Sequence, residues 1–419
     1  MSPQLSIDIN NELASLSATP FEPYIFRVDG LLRRENELAY EPEILAIGPY
    51  HHGKANLEMM EKHKLRYLQM YLARTNESSV DRFVNAMQDL EEKTRKCYAE
   101  SIGLEKDAFV RMMLLDGCFI IEFFYKLAYE KVIDDPIFKM QRFTNTIFQD
   151  LLLFENQLPF FVLKRLLGSN LLDINDLISQ IPFLFSHLFS QSSTYSDASY
   201  VPRENVKHLL GLVHDTWCSS FKTTVSSRRA AEAEERTWKY IKCSTQLREA
   251  GVKFKKATET SSLLDIEFEN GIMKIPPLSI DDSTEVIFRN LVAYEQYNDL
   301  NEPAYVTNYR KFLDCLINSP KDVEILRHRG IIDNWLGDDE AVSSLLNRLG
   351  NNVILDSTSF CYSEIFNKIN DHCKRRRYKW MTKLRHNYFN SPWSIISLFG
   401  ATLLLVLTII QTIYSVSKV

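Results

Sequence analysis

Residues 109–131 read FVRMMLLDGCFIIEFFYKLAYEK, a segment that is apolar nearly all round. A helix of this kind is buried on most of its sides, so the segment predicts the central helix of a large core. Asp116 and Gly117 interrupt it, which argues against a membrane span at this point. Residues 138–168 are also strongly apolar and helical in pattern, with Pro159 expected to end one helix or to begin the next.

The composition is that of an ordinary folded protein. The chain has 419 residues, of which 45% are hydrophobic and 25% charged, and its formal net charge is −5, so disorder is excluded for most of it. Its seven cysteines form no CxxC pair, which is typical of reduced thiols and not of a disulfide framework or a zinc knuckle. The sequence contains none of the motifs GxSxG, HExxH, GxxxxGK[ST] or GxGxxG, so no familiar enzyme class, cofactor or metal is predicted.

Hydrophobic periodicity predicts a mainly α fold, a multi-helix globular domain with one small antiparallel sheet. Residues 252–280 alternate with period two, and Asn270-Gly271 accepts positive φ, which predicts a β-hairpin near 263–276. Pro42 to Gly53 is interpreted as a turn-rich connector. The predicted helices cover about 57–74, 81–102, 107–131, 138–168, 238–250, 305–318, 320–329, 338–350 and 359–388.

The segment WSIISLFGATLLLVLTIIQTIYSV (393–416) carries no charged residue. As a helix it would be ~36 Å long, enough to cross a ~30 Å hydrocarbon core, so it predicts a single C-terminal transmembrane helix. The alternative is a buried core helix, but core helices usually keep a polar stripe. The residues expected to anchor it are Trp393, Leu403, Leu404, Leu405, Ile409 and Ile410.

A basic collar precedes this segment, and only Lys418 follows it. The positive-inside rule then places the large N-terminal part in the cytosol. The membrane expected to hold the anchor is the plasma membrane or that of the endoplasmic reticulum. The collar could bind nucleic acid, but its position favours anionic lipid headgroups; a third hypothesis is lipid binding by the collar alone. Its basic residues are Lys374, Arg375, Arg376, Arg377, Lys379, Lys383 and Arg385.

The predicted layout has four parts. They are a flexible lead-in (1–20), a mostly helical cytosolic domain (21–372), the basic juxtamembrane collar (373–392) and the membrane anchor (393–416). Exposed loops are expected near 190–204 and 226–236. Because loops vary without disturbing the core, they are candidate contact regions for a protein partner.

His51 and His52 lie in a turn bounded by proline and glycine, where metal binding or acid/base chemistry is conceivable. Neighbouring side chains in an extended segment point to opposite sides, so the two are poor ligands for one ion. The other interpretation is that a polar side chain fixes the turn through backbone hydrogen bonds. Asp282 could bind a cation together with Asp281, but capping of the following helix explains both aspartates more simply.

Glu155, Asn156 and Gln157 lie between LLLF and LPFFVL. Three polar groups in such surroundings must be paired, because an unsatisfied buried group costs about 1–3 kcal/mol. We interpret them as a buried polar network that fixes helix packing, with a ligand pocket as the alternative.

Several ordered strings recur together: IGPYHHG (47–53), LEMMEKHKLRYL (57–68), DGCFIIEFF (116–124), LLLFENQLPFFVL (151–163) and IPPLSIDDSTEVIFRNLVAYEQ (275–296). In these the chain resembles the plant domain-of-unknown-function 247 family, over about residues 24–416. The resemblance implies a cytosol-facing domain with a C-terminal membrane helix and no agreed catalytic residues. Some members are linked to plant reproduction, including self-incompatibility and sex determination.

The function expected from these observations is that of a membrane-tethered, non-enzymatic recognition or regulatory protein, and the family resemblance adds a role in reproductive signalling as an expectation. Its expected partners are membrane lipid, through the C-terminal helix, and a protein, but not nucleic acid. The alternative is a membrane-associated enzyme or ligand-binding protein with a site around His51, His52 and Glu155.

Overall fold

In the computed structural model the chain divides into two units. The first contains Met1–Leu188, Tyr195–Trp217 and Glu285–Glu302, and the second contains Phe189–Thr194, Cys218–Thr284 and Pro303–Val419. The structure describes residues 5–10, 23–129, 135–168, 177, 180–181, 184–185, 206–231, 238–257, 262–298, 302–356, 359–375 and 392–416.

The first unit is helical. Residues 5–10 form a short helical stretch, and single 3-10 turns cover Glu37–Tyr40 and Ala55–Leu57. Its further helices are α1 (Gly30–Arg33), α2 (Glu58–Thr75), α3 (Asp81–Lys96), α4 (Lys106–Tyr129), α5 (Pro136–Lys139), α6 (Gln141–Leu151) and α7 (Phe160–Leu167). Helix α8 (Leu209–Ala231) is divided between the units at Trp217, and α10 (Thr284–Gln296) belongs to the first unit from Glu285 onward.

Helix α4 is the centre of the first unit, as its composition predicts. It is buried along nearly its whole length, including Asp116 and Glu122, and α2, α3 and α7 pack against it. Gly117 allows α7 to come close, because a Cβ at this position would clash with the Leu166 side chain. Pro159 directly precedes α7, so the predicted break between two helices is confirmed.

The second unit combines helices with two small sheets. Strands β1 (Lys253–Lys256), β3 (Ile272–Ile275) and β2 (Glu267–Glu269) form one sheet in that order, and β4 (Leu278–Ile280) pairs with β5 (Ile332–Asn334) in the other. Its helices are α9 (Ser244–Glu249), α11 (Tyr305–Leu316), α12 (Pro320–Arg327), α13 (Asp339–Arg348), α14 (Ser363–Lys374) and α15 (Pro392–Val416).

The predicted hairpin is confirmed, but the prediction of one antiparallel sheet is wrong. Asn270 and Gly271 join β2 to β3 at φ angles of 51° and 79°. Strand β1, however, pairs with β3 in parallel, and β4 pairs in parallel with β5. Pro276 and Pro277 separate β3 from β4; they have no N–H to donate to a ladder, so β4 begins a separate pairing.

The prediction of a single C-terminal transmembrane helix is also wrong. In the described part of the chain, no helix combines the length and the apolarity that a membrane crossing requires. Helix α15 covers Pro392–Val416, and its described side chains from Phe399 to Ile413 are exposed. The expected anchor residues Leu403, Leu404, Leu405, Ile409 and Ile410 are exposed on this stretch.

Other predicted segments have mixed outcomes. The loop near 190–204 lies outside the described residues, as do collar residues Arg376, Arg377, Lys379, Lys383 and Arg385. Residues 226–231, expected in an exposed loop, belong to α8. The helix predicted over 238–250 is confined to α9, and Gly251 follows it at φ +92°. The helices predicted over 57–74, 305–318, 320–329 and 338–350 are confirmed within a few residues.

The turn between β2 and β3 generates a stability prediction. Gly271→Ala should lower the free energy of unfolding by about 2–4 kcal/mol, since positive φ disfavours a Cβ and that Cβ would lie 2.6 Å from the His372 ring. Gly337→Ala is the matched control, with φ +83° and open space around it, and should cost about 1–2 kcal/mol. Urea unfolding of both variants measures the difference; equal losses would show that the packing against His372 is irrelevant.

Candidate functional site

A buried connector without a strand partner runs through the first unit. Residues 43–48 form neither helix nor strand, yet Leu45, Ala46 and Ile47 are at most 2% exposed. Buried backbone N–H and C=O groups must be hydrogen-bonded, and here side chains from α2, α4 and the segment 150–157 supply the partners. We call the four side chains that bind this connector the cradle: Lys64, Asp116, Asp150 and Asn156.

Asp150 binds the beginning of the connector. Its carboxylate accepts hydrogen bonds from the backbone N–H groups of Glu43, Ile44 and Leu45, at 2.9, 2.9 and 2.8 Å. Burial raises the pKa of Asp150 to about 7, and the three N–H donors oppose this shift because they favour the charged form.

Asn156 binds the middle of the connector through both ends of its amide. Its Oδ1 accepts from the Ile47 N–H at 2.6 Å, and its Nδ2 donates to the carbonyls of Leu45 and Asp150, each at 2.8 Å. One side chain therefore satisfies three buried backbone groups, which no apolar residue of the same size could do.

A buried ion pair holds the end of the connector. Asp116 accepts from the Gly48 N–H at 2.8 Å and from Lys64 Nζ at 2.6 Å. Lys64 also donates to the Ala46 carbonyl at 2.7 Å and to Glu61 at 2.6 Å. Burial works against charge on Lys64, but the carboxylates of Asp116 and Glu61 raise its pKa, so the lysine is charged and paired.

Gln157 ties the same region to neighbouring loops. Its Nε2 donates to the carbonyls of Leu151 and Leu153, and its Oε1 accepts from the Leu210 N–H at 3.0 Å. Its backbone carbonyl lies so near Gly48 that a Cβ there would be 2.5 Å from the oxygen. Gly48, at φ +71°, is thus the residue that this close approach requires.

Glu155 belongs to a second group of charges, in which Glu155 and His51 are buried and Arg27 is exposed. We call it the Glu155 cluster: Arg27, Arg33, Glu41, His51, Lys54 and Glu155. Its Oε1 accepts from the Val28 N–H at 2.7 Å and from Arg33 Nε at 3.2 Å, and its Oε2 accepts from Arg33 Nη2 at 2.7 Å. Glu155 therefore joins the extended segment at Val28 to α1.

His51 lies fully buried between two carboxylates. Its Nε2 is 3.6 Å from Glu155 Oε2 and its Nδ1 is 3.4 Å from Glu41 Oε2, and neither nitrogen makes a hydrogen bond to the described residues. Burial and the nearby Lys54 lower the pKa of His51 to about 4, although Glu41 opposes them. The imidazole is therefore neutral at physiological pH.

The structure brings His51 and Glu155 together, but in an environment that suits neither a metal nor a substrate. Arg27, Arg33 and Lys54 surround the two carboxylates and would repel a cation. Glu155 is 1% exposed and His51 is 0% exposed, whereas acid/base catalysis requires contact with the reacting molecule. The arrangement can hold segments of the fold together.

The other predicted site residues are elsewhere. His52 is half-buried, and its Nδ1 lacks a hydrogen-bond partner among the described residues. Asp282 is exposed and belongs to the second unit. Its neighbour Asp281 caps α10 by accepting from the N–H groups of Ser283 and Thr284, so the capping interpretation is confirmed for Asp281.

Sequence reasoning missed four of the residues that build these groups: Arg27, Arg33, Lys64 and Asp150. A signal existed for Lys64, which recurs at helical spacing with Leu57, Met60 and Leu68 on the apolar face of α2. A lysine at such a position needs a buried carboxylate, and Asp116 in the apolar α4 was the natural candidate.

His51 generates a pH prediction. Its pKa is about 6.5 in the unfolded chain and about 4 in the folded one, so the folded state binds fewer protons over this interval. The free energy of unfolding should therefore fall by about 3 kcal/mol as the pH drops from 6.5 to 4, and stay level on this account above 6.5.

His51→Gln isolates this effect, because glutamine stays neutral and the remaining titrating groups are unchanged. Urea unfolding at several pH values should give a shallower acid limb for the variant than for the wild type. Parallel curves would mean that His51 titrates alike in the folded and unfolded chains.

Comparisons with known proteins support the family resemblance of the ordered sequence motifs. The family model DUF247, described as a plant protein of unknown function, matches residues 25–407. The UPF0481 protein At3g47200 of Arabidopsis thaliana is 31% identical over 414 residues, which cover 93% of this chain and 85% of that protein. The putative UPF0481 protein At3g02645 of the same plant is 24% identical over 475 residues, which cover 92% of this chain and 89% of that protein. No solved structure matches significantly. The chain belongs to the plant DUF247 family.

Proposed function

We propose that the chain is a non-enzymatic recognition protein, which binds a protein partner through its surface. The observation that carries this proposal is the complete burial of Glu155 and His51, the two sequence candidates for chemistry that lie together. Their polar neighbours are occupied in binding backbone and one another, so the motifs in which they lie serve the fold.

The hydrogen bonds of Glu155 support this interpretation. Both carboxylate oxygens accept from Arg33, and Oε1 also accepts from the backbone of Val28. A substrate could reach Glu155 only if these bonds were broken, which would leave a charged group uncompensated in the interior. Breaking a buried ion pair costs about 3–5 kcal/mol, which opposes such an opening.

A second candidate function is a ligand-binding or enzymatic site around His51, His52 and Glu155. The observation that favours it is His51, whose two ring nitrogens lack hydrogen-bond partners among the described residues. His51 is 0% exposed, so access to it would require a rearrangement. A role in reproductive signalling stays a prediction from the family.

One experiment separates the two functions. Glu155→Gln removes the charge that pairs with Arg33 and should lower the free energy of unfolding by about 3–5 kcal/mol. Met113→Ala is the matched control, because it creates a cavity in α4 and removes no titratable group. It should lower the free energy of unfolding by a similar ~2–5 kcal/mol. Both variants should reduce the cross-linked capture of protein partners from plant extract in proportion to the fraction of folded chain.

Thermal unfolding and quantitative mass spectrometry of the captured proteins provide the two measurements. A Glu155→Gln chain that is as stable as the Met113→Ala chain but has lost far more partner capture would show that Glu155 acts directly in binding, and the alternative of a ligand-binding site around it would replace our proposal.

A further inference from the structure

Strand β1 has an unpaired outer edge. Lys253 and Ala257 donate their backbone N–H groups to Gly271 and Ile275 on the β3 side, both at 2.9 Å. In a parallel pair alternate residues bond to the same neighbour, so Phe254 and Lys256 direct their N–H and C=O groups to the opposite side. In the described part of the chain, no strand pairs with that side, because β1 is the edge of its sheet.

A cleft of about 530 Å³ within the second unit is lined by the beginning of this strand, Lys253 and Phe254. One wall comes from Gly251, Val252, Lys253 and Phe254, and the other from α12 and the residues that follow it. The remaining lining residues are Arg248, Glu324, Ile325, His328 and Arg329.

The cleft is positively charged. Arg248, Lys253 and Arg329 are exposed, and none has a carboxylate oxygen within 4.0 Å in the described residues. This is unlike neighbouring Arg327, which is paired with Asp339 at 3.0 Å. Glu324 is the single carboxylate among the lining residues, against three permanent cations. Unpaired cations that converge on one cleft raise the local concentration of anionic partners.

We propose that this cleft binds an acidic, extended peptide segment of a partner protein, which adds to β1 as a further strand. The backbone groups of Phe254 and Lys256 supply main-chain hydrogen bonds, and Arg248, Lys253 and Arg329 select for acidic side chains. This inference rests on the proposed recognition function and names the surface and the chemistry of its partner.

An extended occupant fits better than a helical one for a geometric reason. Backbone donors and acceptors that repeat along a strand edge match the spacing of another strand, whereas a helix uses its own backbone groups internally. Strand β1 has four residues and is roughly 13 Å long, which matches about four residues of a bound peptide. The Phe254 side chain is buried in the sheet's own core, so the selectivity of the cleft comes from charge.

Fluorescence anisotropy on the full chain tests the proposal with a labelled peptide of alternating glutamate and valine, EVEVEVE. We expect saturable binding, weakened at least tenfold when alternate peptide nitrogens on the β1-facing edge are methylated, because those N–H groups are then lost. Lys253→Glu should weaken binding about tenfold, corresponding to ~1.4 kcal/mol. The matched control is Lys62→Glu, an exposed charge reversal on α2, which should bind as the wild type does.

Three results would overturn the proposal: no binding of EVEVEVE, equal binding of the N-methylated peptide, or equal binding of the basic peptide KVKVKVK. A thermal-unfolding curve for Lys253→Glu that matches the wild type excludes misfolding as the cause of weaker binding. The outcomes are distinct from failure of the recognition function. If the peptide fails while partner capture still follows the folded fraction, the chain recognises its partner elsewhere.

Discussion

Residues 45–48 are buried without a strand beside them, and this constraint explains the polar residues that bind them in the first unit. An unsatisfied N–H or C=O in a protein interior costs roughly as much as a lost hydrogen bond, so these four consecutive residues could not be buried without hydrogen-bond partners. The hydrogen-bond partners are supplied by Asp150, by Asn156 and by the Lys64–Asp116 pair. Charged groups in the middle of α2 and α4 are thereby explained without catalysis.

The same logic extends to function. Residues that resemble a site in the sequence, such as Glu155 and His51, face inward and bind parts of their own chain. The groups available to another molecule are on the surface, where Arg248, Lys253 and Arg329 lie beside an open strand edge. In the described residues, the polar groups that stabilise the fold are therefore buried, and the charged groups that are available to bind a partner lie elsewhere, on the surface.

Features that depend on local pattern were predictable from the sequence. The buried helix α4 follows from its apolar composition, the β2–β3 turn from Asn270-Gly271, and the pairing of Glu155, Asn156 and Gln157 from the cost of burying them. Features that depend on distant partners were not. The parallel partner of β1 is set by tertiary packing, and the connection of Arg33 to Glu155 joins residues that are 122 positions apart.

The C-terminal segment shows a different limit. An uncharged run of residues indicates that a helix would be apolar, but this alone does not establish a membrane span. Hydropathy summed over 393–416 predicted a span, whereas no helix in the described part of the chain has the length and apolarity for one. Hydropathy is therefore weaker evidence here than the inward-facing pattern of α4, whose burial is confirmed by packing on several sides.

Native-state hydrogen exchange at the N–H groups of Leu45, Ile47 and Gly48 tests the central claim most directly. If the cradle binds the connector as a permanent part of the core, these amides should exchange as slowly as the amide of Phe119 in the centre of α4. Exchange as fast as that of the exposed Gly53 would mean that the connector opens readily, and the polar residues around it would then need another explanation.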